Sequence, residues 1–236
     1  MAQEVENVTE TKAKEADLSL VDNVELASDK LRTAATENAN KLFTAIAAVL
    51  LVVVAIISYQ RFVKTPAEIS AAENIFMAQY WFEVKDFESA LNGDDTYPGF
   101  LEIIEEHGGT KAANLSKFYA GLVYLNQGEY QLAVDMLEDF SSDDMFIGAH
   151  AYSALGDAYA EMQDSRATQY YKKAATHNSN EFTTPLYLMK LANALEIEGQ
   201  TGEALGYYKM IKKQYPNSAE GKDIDKYIAK LETALN

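Results

Sequence analysis

Nineteen consecutive residues, Leu42 to Gln60, carry no charge, and Lys41 and Arg61 close the run on either side. As a helix such a run is about 28 Å long, close to the hydrocarbon thickness of a bilayer. Eleven of its residues are Leu, Ile, Val or Phe. At about −0.3 to −0.6 kcal/mol each for central positions they favour insertion by roughly 3 to 6 kcal/mol. A core helix of a water-soluble domain stops sooner or keeps a polar stripe, whereas Ala45 to Ile57 is apolar on every face. A cleaved signal peptide begins near the first residue, but here forty-one mostly polar residues come first. The sequence therefore predicts a transmembrane helix over 42–60, a flexible tail over 1–41 before it, a linker over 61–66, and a domain over 67–236.

The tail holds Glu, Lys, Thr and Asn with few large apolar residues, and buries too little surface to offset the entropy of ordering. Val21, Val24 and Leu31 make at most a short apolar face there. The positive residues that set orientation are few, Lys30, Arg32 and Lys41 before the span and Arg61 and Lys64 after it. A short tail before a long domain points to a cytoplasmic N-terminus and an exported domain. The formal charge of −16 divides into −4 for residues 1–41 and −12 for residues 61–236, from five Lys/Arg against nine Asp/Glu and fifteen against twenty-seven. Such a chain repels nucleic acid and anionic headgroups, which excludes a nucleic-acid-binding class. With no cysteine, disulfides, thiolate metal sites and a lipidated N-terminal cysteine are excluded as well.

Beyond Thr65-Pro66, read as the turn that ends the anchor helix, the pattern is helical almost throughout and has a fixed period. The tetratricopeptide pattern of a large residue, two spacers, Leu, Gly, two spacers and Tyr appears as Tyr152, Leu155, Gly156, Tyr159. It returns as Lys117, Ala120, Gly121, Tyr124 and as Leu188, Leu191, Ala192, Leu195. Each is followed by a second helix bearing an alanine and, four on, a large residue: Ala133 with Leu137, Ala167 with Tyr171, Ala204 with Tyr208. Pro216 closes the last copy. Small residues at 121, 156, 192, 133, 167 and 204 let paired helices approach, and large ones at 124, 159 and 195 fill the layer between repeats. Gly128-Glu129, Gln163-Asp164 and Gly199-Gln200 are the turns within the pairs.

A worn first copy shows Ala78, Trp81, Phe87 and Ala90 at the corresponding offsets, with surplus residues in Asn92–Gly99 before a helix resumes at Phe100. At the other end Ile224, Tyr227, Ile228, Leu231 and Leu235 form one helical face, as a capping helix requires. The expected fold is all-α: a single N-terminal transmembrane helix followed by a tetratricopeptide-repeat α-solenoid with a C-terminal capping helix. Its parts are a degenerate repeat over 67–107, repeats over 111–140, 149–177 and 185–216, and a cap over 218–235.

No residues support catalysis. His107, His150 and His177 are far apart and lack metal-ligand spacing. Glu105-Glu106 and Asp143-Asp144 fall at helix ends and loops, and Gly108-Gly109 is a helix stop without phosphate-loop context. No enzyme activity, cofactor, metal or small-molecule substrate is expected. The functional surface of such an array is the concave face of the first helices. Its expected lining is Ile75, Gln79 and Phe82, then Phe118, Leu122 and Leu125, then His150, Ser153 and Asp157, then Met189, Asn193 and Glu196. Of these, Phe118, Leu122, Leu125, Ser153, Asp157, Met189 and Asn193 are the candidate protein-binding groove. Phe118, Leu122 and Leu125 are its apolar end. A Lys/Arg clamp for acidic tails is missing, with only Asn193 matching. The alternative is that the cap or a neighbouring repeat covers part of this face.

The anchor, the acidic repeat domain and the closing helix resemble the YfgM-type membrane proteins of bacteria. Gly99-Phe100-Leu101-Glu102-Ile103-Ile104-Glu105-Glu106, Gly108-Gly109-Thr110-Lys111-Ala112 and Phe182-Thr183-Thr184-Pro185-Leu186-Tyr187 are similar to the versions found in Bacteroidota. The resemblance covers residues 40–236. It implies an inner-membrane protein with periplasmic repeats, ancillary to the SecYEG translocon and accompanied by a PpiD-type periplasmic chaperone. A membrane-anchored import or assembly receptor is the alternative. The missing basic clamp argues against a mitochondrial-type import receptor, and the missing lipidated cysteine against an outer-membrane assembly factor.

Overall fold

The computed structural model describes the backbone of residues 2–235 and the side chains of residues 25–30, 32, 33, 36, 39–41 and 43–235. The chain divides into two compact units, Met1–Val63 and Lys64–Asn236. The first is the helix α1 (Ala2–Tyr59). Around it Phe43, Val49, Leu51, Val54 and Ile57 are each more than half exposed. A helix of this length that shows apolar side chains in every direction is suited to lipid rather than water. It is the one helix among the described residues long and apolar enough to cross a membrane. The backbone expected as a tail is helical from Ala2, and Thr33, Thr36 and Thr44 hydroxyls donate to carbonyls one turn back. The side chains of Val21, Val24 and Leu31 lie outside the described residues.

Residues Gln60–Lys64 form a π-helical turn. Thr65-Pro66, read from sequence as a turn, instead opens α2 (Thr65–Glu83), with the proline in the first helical turn. Proline is accommodated there because the N–H it lacks has no partner within the helix.

The second unit is a right-through sequence of helix pairs. After α2 come α3 (Phe87–Asn92) and α4 (Phe100–Glu106), then the pairs α5 (Lys111–Gln127) with α6 (Tyr130–Glu138), α7 (Ile147–Glu161) with α8 (Arg166–Thr176), and α9 (Thr184–Ile197) with α10 (Thr201–Gln214). The short α11 (Ala219–Lys222) and then α12 (Asp225–Leu235) close the chain. Each pair packs on itself and on the next, and α12 packs on α10. This is the tetratricopeptide-type α-solenoid with a capping helix.

Close approach within pairs follows from the small residues. A Cβ on Gly121 would lie 2.5 Å from Leu137 Cγ, and one on Gly156 would lie 2.6 Å from the Tyr171 ring. Ala133, Ala192 and Ala204 are fully buried and Ala167 nearly so. Tyr159 and Tyr208 are among the largest fully buried side chains, and Tyr124 is half-buried against the same core. Tyr159 donates to Glu138 at 2.8 Å, lies under the Arg166 guanidinium at 4.1 Å, and stacks on Tyr170 at 5.2 Å. Pro216 is exposed after α10.

The turns repeat at the level of the backbone. Lys85, Gly128, Gln163 and Gly199 all have positive φ, between 47° and 84° with the rest of the left-handed residues. Each stands seven residues after Ala78, Gly121, Gly156 and Ala192 respectively. The next N–H returns to the preceding helix in all four: Asp86 to Trp81, Glu129 to Tyr124 and Asp164 to Tyr159 at 2.9 Å, and Gln200 to Leu195 at 2.8 Å. These are helix stops of one geometry, so the worn first copy turns as the others do.

Its second helix is broken. The loop between α3 and α4 is pinned by Asp94, which accepts from Thr96 and Tyr97 N–H at 2.7 and 2.8 Å. Gly93, at φ +76°, approaches Tyr97, and Gly99 approaches Leu91, too closely for any side chain. At the far end the single helix expected over 218–235 is split between Lys222 and Asp225. Ile224, Ile228 and Leu231 are buried, while Leu235 is 53 % exposed.

Candidate protein-binding face

The first helix of each pair presents residues of one stripe to the shared face, and the structure sorts them into closed and open parts. Phe118 and Leu122 are 5 % and 8 % exposed. The Phe118 ring lies 5.3 Å from Phe140 and 5.4 Å from each of Tyr119 and His150, so the following repeat covers it. Leu125 is half-buried against the same cluster. The apolar end expected as an open surface is therefore interior packing. Motif offsets fix a side chain's direction on its own helix but not what the next repeat lays over it.

The middle of the face is polar and internally bonded. Asp157 on α7 accepts from Lys190 Nζ on α9 at 2.6 and 2.7 Å, and from the Tyr171 hydroxyl on α8 at 2.8 Å. Lys190 also donates to the buried Ser153 hydroxyl at 3.2 Å. Burial, then the Asp157 carboxylate, pushes the Tyr171 phenol well above its usual range. His150 stands at the rim, open to solvent at its edge. Surrounding protein, then the Lys190 ammonium, lowers its pKa from the ordinary 6.5, against a smaller opposing pull from Asp157. The face thus contains a cation that the sequence reading left out. Lys190 follows Asp157 by 33 residues, about one repeat, which is the only signal that places the two side by side.

The open part lies on α9. Leu186 is 41 % and Ile197 87 % exposed, and with Asn193, also exposed, their spacing of seven and four residues sets them on one stripe. Asn193 accepts from the buried Tyr208 hydroxyl at 2.7 Å, which fixes its side chain. Met189 is half-buried behind this stripe. At its end Lys230 of the cap pairs with Glu196, so the capping helix borders the face. The other two histidines are bonded away from this face: His107 to the Asn74 side chain on α2 at 3.1 Å, and His177 to the Asp144 backbone carbonyl at 3.1 Å. A rigid stripe with two exposed aliphatic residues flanking an amide and a Lys–Asp pair suits a peptide or helix of mixed polarity. It offers no arrangement of nucleophile and base.

A family model described as "Tetratricopeptide repeat" matches residues 187–218. That span takes in most of α9, all of α10 and the turn after it. No curated protein matches the chain.

Proposed function

We propose that this tetratricopeptide-repeat solenoid is a non-catalytic adaptor, held at a membrane by α1 and gripping a protein partner on the open α9 stripe. The observation that carries the reading is the pairing of a span-length apolar helix with a repeat array whose first-helix face keeps Leu186 and Ile197 exposed. Exposed aliphatic residues beside fixed polar groups mark interaction surfaces. The tether supports such a role, because confinement to the membrane raises the effective concentration of a weak contact.

The resemblance to YfgM-type proteins supports a finer version. In it the protein sits in a bacterial inner membrane with residues 1–41 in the cytoplasm and the repeats in the periplasm. It then links the SecYEG translocon to a PpiD-type chaperone or to emerging polypeptide. Affinity purification from mild detergent tests the adaptor role, comparing wild type with a Leu186→Glu, Ile197→Glu variant whose changes lie on exposed positions. Sec components and a periplasmic chaperone should co-purify with the wild type and be lost from the variant. Their absence from the wild-type eluate overturns the translocon assignment. Their retention by the variant moves the contact off the α9 stripe. Protease added to spheroplasts should digest the repeats, and digestion of the tail alone would reverse the orientation.

A further inference from the structure

The turns that join one repeat to the next run along a single edge of the second unit. Glu68 on α2 accepts from the Lys111 N–H at 2.9 Å. Asn114 donates to the Ser141 carbonyl at 2.9 Å and accepts from its N–H at 3.3 Å. His177 and Asn178 bond the Asp144 and Asp143 carbonyls at 3.1 and 3.2 Å. Phe182 shares a cleft with residues 213–220. Lys64, the first residue of the unit, lines a cavity with Gly109, Lys111, Ser142 and Ile147, so the chain enters from this same edge.

On that edge two phenylalanines occupy equivalent places, 36 residues apart. Asp144 accepts from the Phe146 and Ile147 N–H groups at 2.8 and 2.9 Å, and Asn180 from those of Phe182 and Thr183 at 2.9 Å each. Each turn thus holds its backbone while the ring stays outside: Phe146 is 52 % and Phe182 83 % exposed, with Met145 beside the first at 41 %. Rings kept in water on two successive rigid turns are not core residues.

We infer that this edge rests on the lipid bilayer, with Phe146, Met145 and Phe182 seated in the headgroup region. The inference depends on α1 being the membrane anchor. The occupant follows from the point of entry: a chain that leaves the bilayer and enters the repeat unit at Lys64 brings this edge to the lipid before any other. Exposed aromatic side chains partition into that interface, and turns already fixed lose little entropy in doing so. The edge mixes Lys64, Lys111 and Lys213 with Asp143, Asp144 and Glu181, so the contact is apolar and calls for no anionic lipid.

The chain has no cysteine, so a fluorophore can be placed at one chosen site without background. Full-length protein carrying Glu181→Cys on this edge, or Gln200→Cys in a turn within a pair, is labelled and reconstituted into phosphatidylcholine vesicles. The vesicles contain a lipid with a nitroxide at its headgroup. Quenching at 181 is expected to exceed quenching at 200 several-fold, and to fall toward the level at 200 when Phe146→Ser and Phe182→Ser are added. Equal quenching at both sites, or no effect of the two serines, overturns the edge contact while flotation with the vesicles shows the anchor intact. A label at 181 shielded from aqueous iodide yet unquenched by lipid means that protein, for example a second copy, covers the edge, and also overturns it. A chain that fails to float removes the anchor and this inference together.

Discussion

Tyr159 shows how one side chain joins two repeats. Its ring is 1 % exposed and its hydroxyl reaches Glu138 on the preceding pair. Tyr159→Ala opens a cavity between the pairs and removes one of the two phenol donors to Glu138, Tyr170 keeping the other at 2.8 Å, so a loss of about 3 to 5 kcal/mol, mainly from the cavity, is expected in denaturant unfolding. Leu122→Glu is the sharper test of which residues are interior. At 8 % exposure a carboxylate there loses its hydration without a partner, and the variant should unfold at lower temperature rather than merely lose binding. His150 gives the face a pH dependence. Its pKa lies below the unfolded value of 6.5, so the unfolded chain binds the proton more readily. The stability this site contributes is full above about pH 6.5 and declines as the pH falls through the window beneath it. The thermal midpoint should drop less between pH 7.5 and 5 in His150→Gln than in the wild type, and an equal drop would show that His150 has no part in it.

At the scale of the element, the turns within the pairs are the most regular feature. Two of the four left-handed positions are glycine, but Lys85 and Gln163 are not. A side chain in that conformation is strained, so Gln163→Gly should raise stability by about 0.5 to 1 kcal/mol, read as a higher denaturant midpoint at unchanged slope. The same contrast shows how much of the fold the sequence discloses. Gly121 and Gly156 could be found because the close approach they allow demands a small residue at a fixed offset. The break between α3 and α4 could be found because Asn92–Gly99 is rich in turn formers. The turn at Gln163 is placed only by its offset from Gly156 and the one at Lys85 by no turn-forming residue, since tertiary packing imposes their φ against local preference. The face was harder still. Phe118 and Leu122 could be assigned a direction but not a cover, and the Lys190–Asp157 pair joins residues that only stacking brings together.

The whole second unit behaves as a stack closed at one end by α12. Each pair contacts its neighbours alone, so damage passes along the array. Ending the chain after Asn217 removes Ile224, Ile228 and Leu231 from α10, where Tyr208 and Ile211 are fully buried. Such a truncation should broaden the thermal transition and soften the C-terminal pair first, as hydrogen exchange would report. The loop between α3 and α4 has the opposite character. Gly93 and Gly99 bring its two ends together, while Asp94, Asp95, Thr96 and Tyr97 stand in solvent. Its surplus residues sit inside a second helix and leave the phase of every later turn unchanged. Between Asp95 and Thr96 the molecule therefore has a ready splice point, where a compact guest protein with adjacent termini could be carried as a reporter without the host array registering the added length.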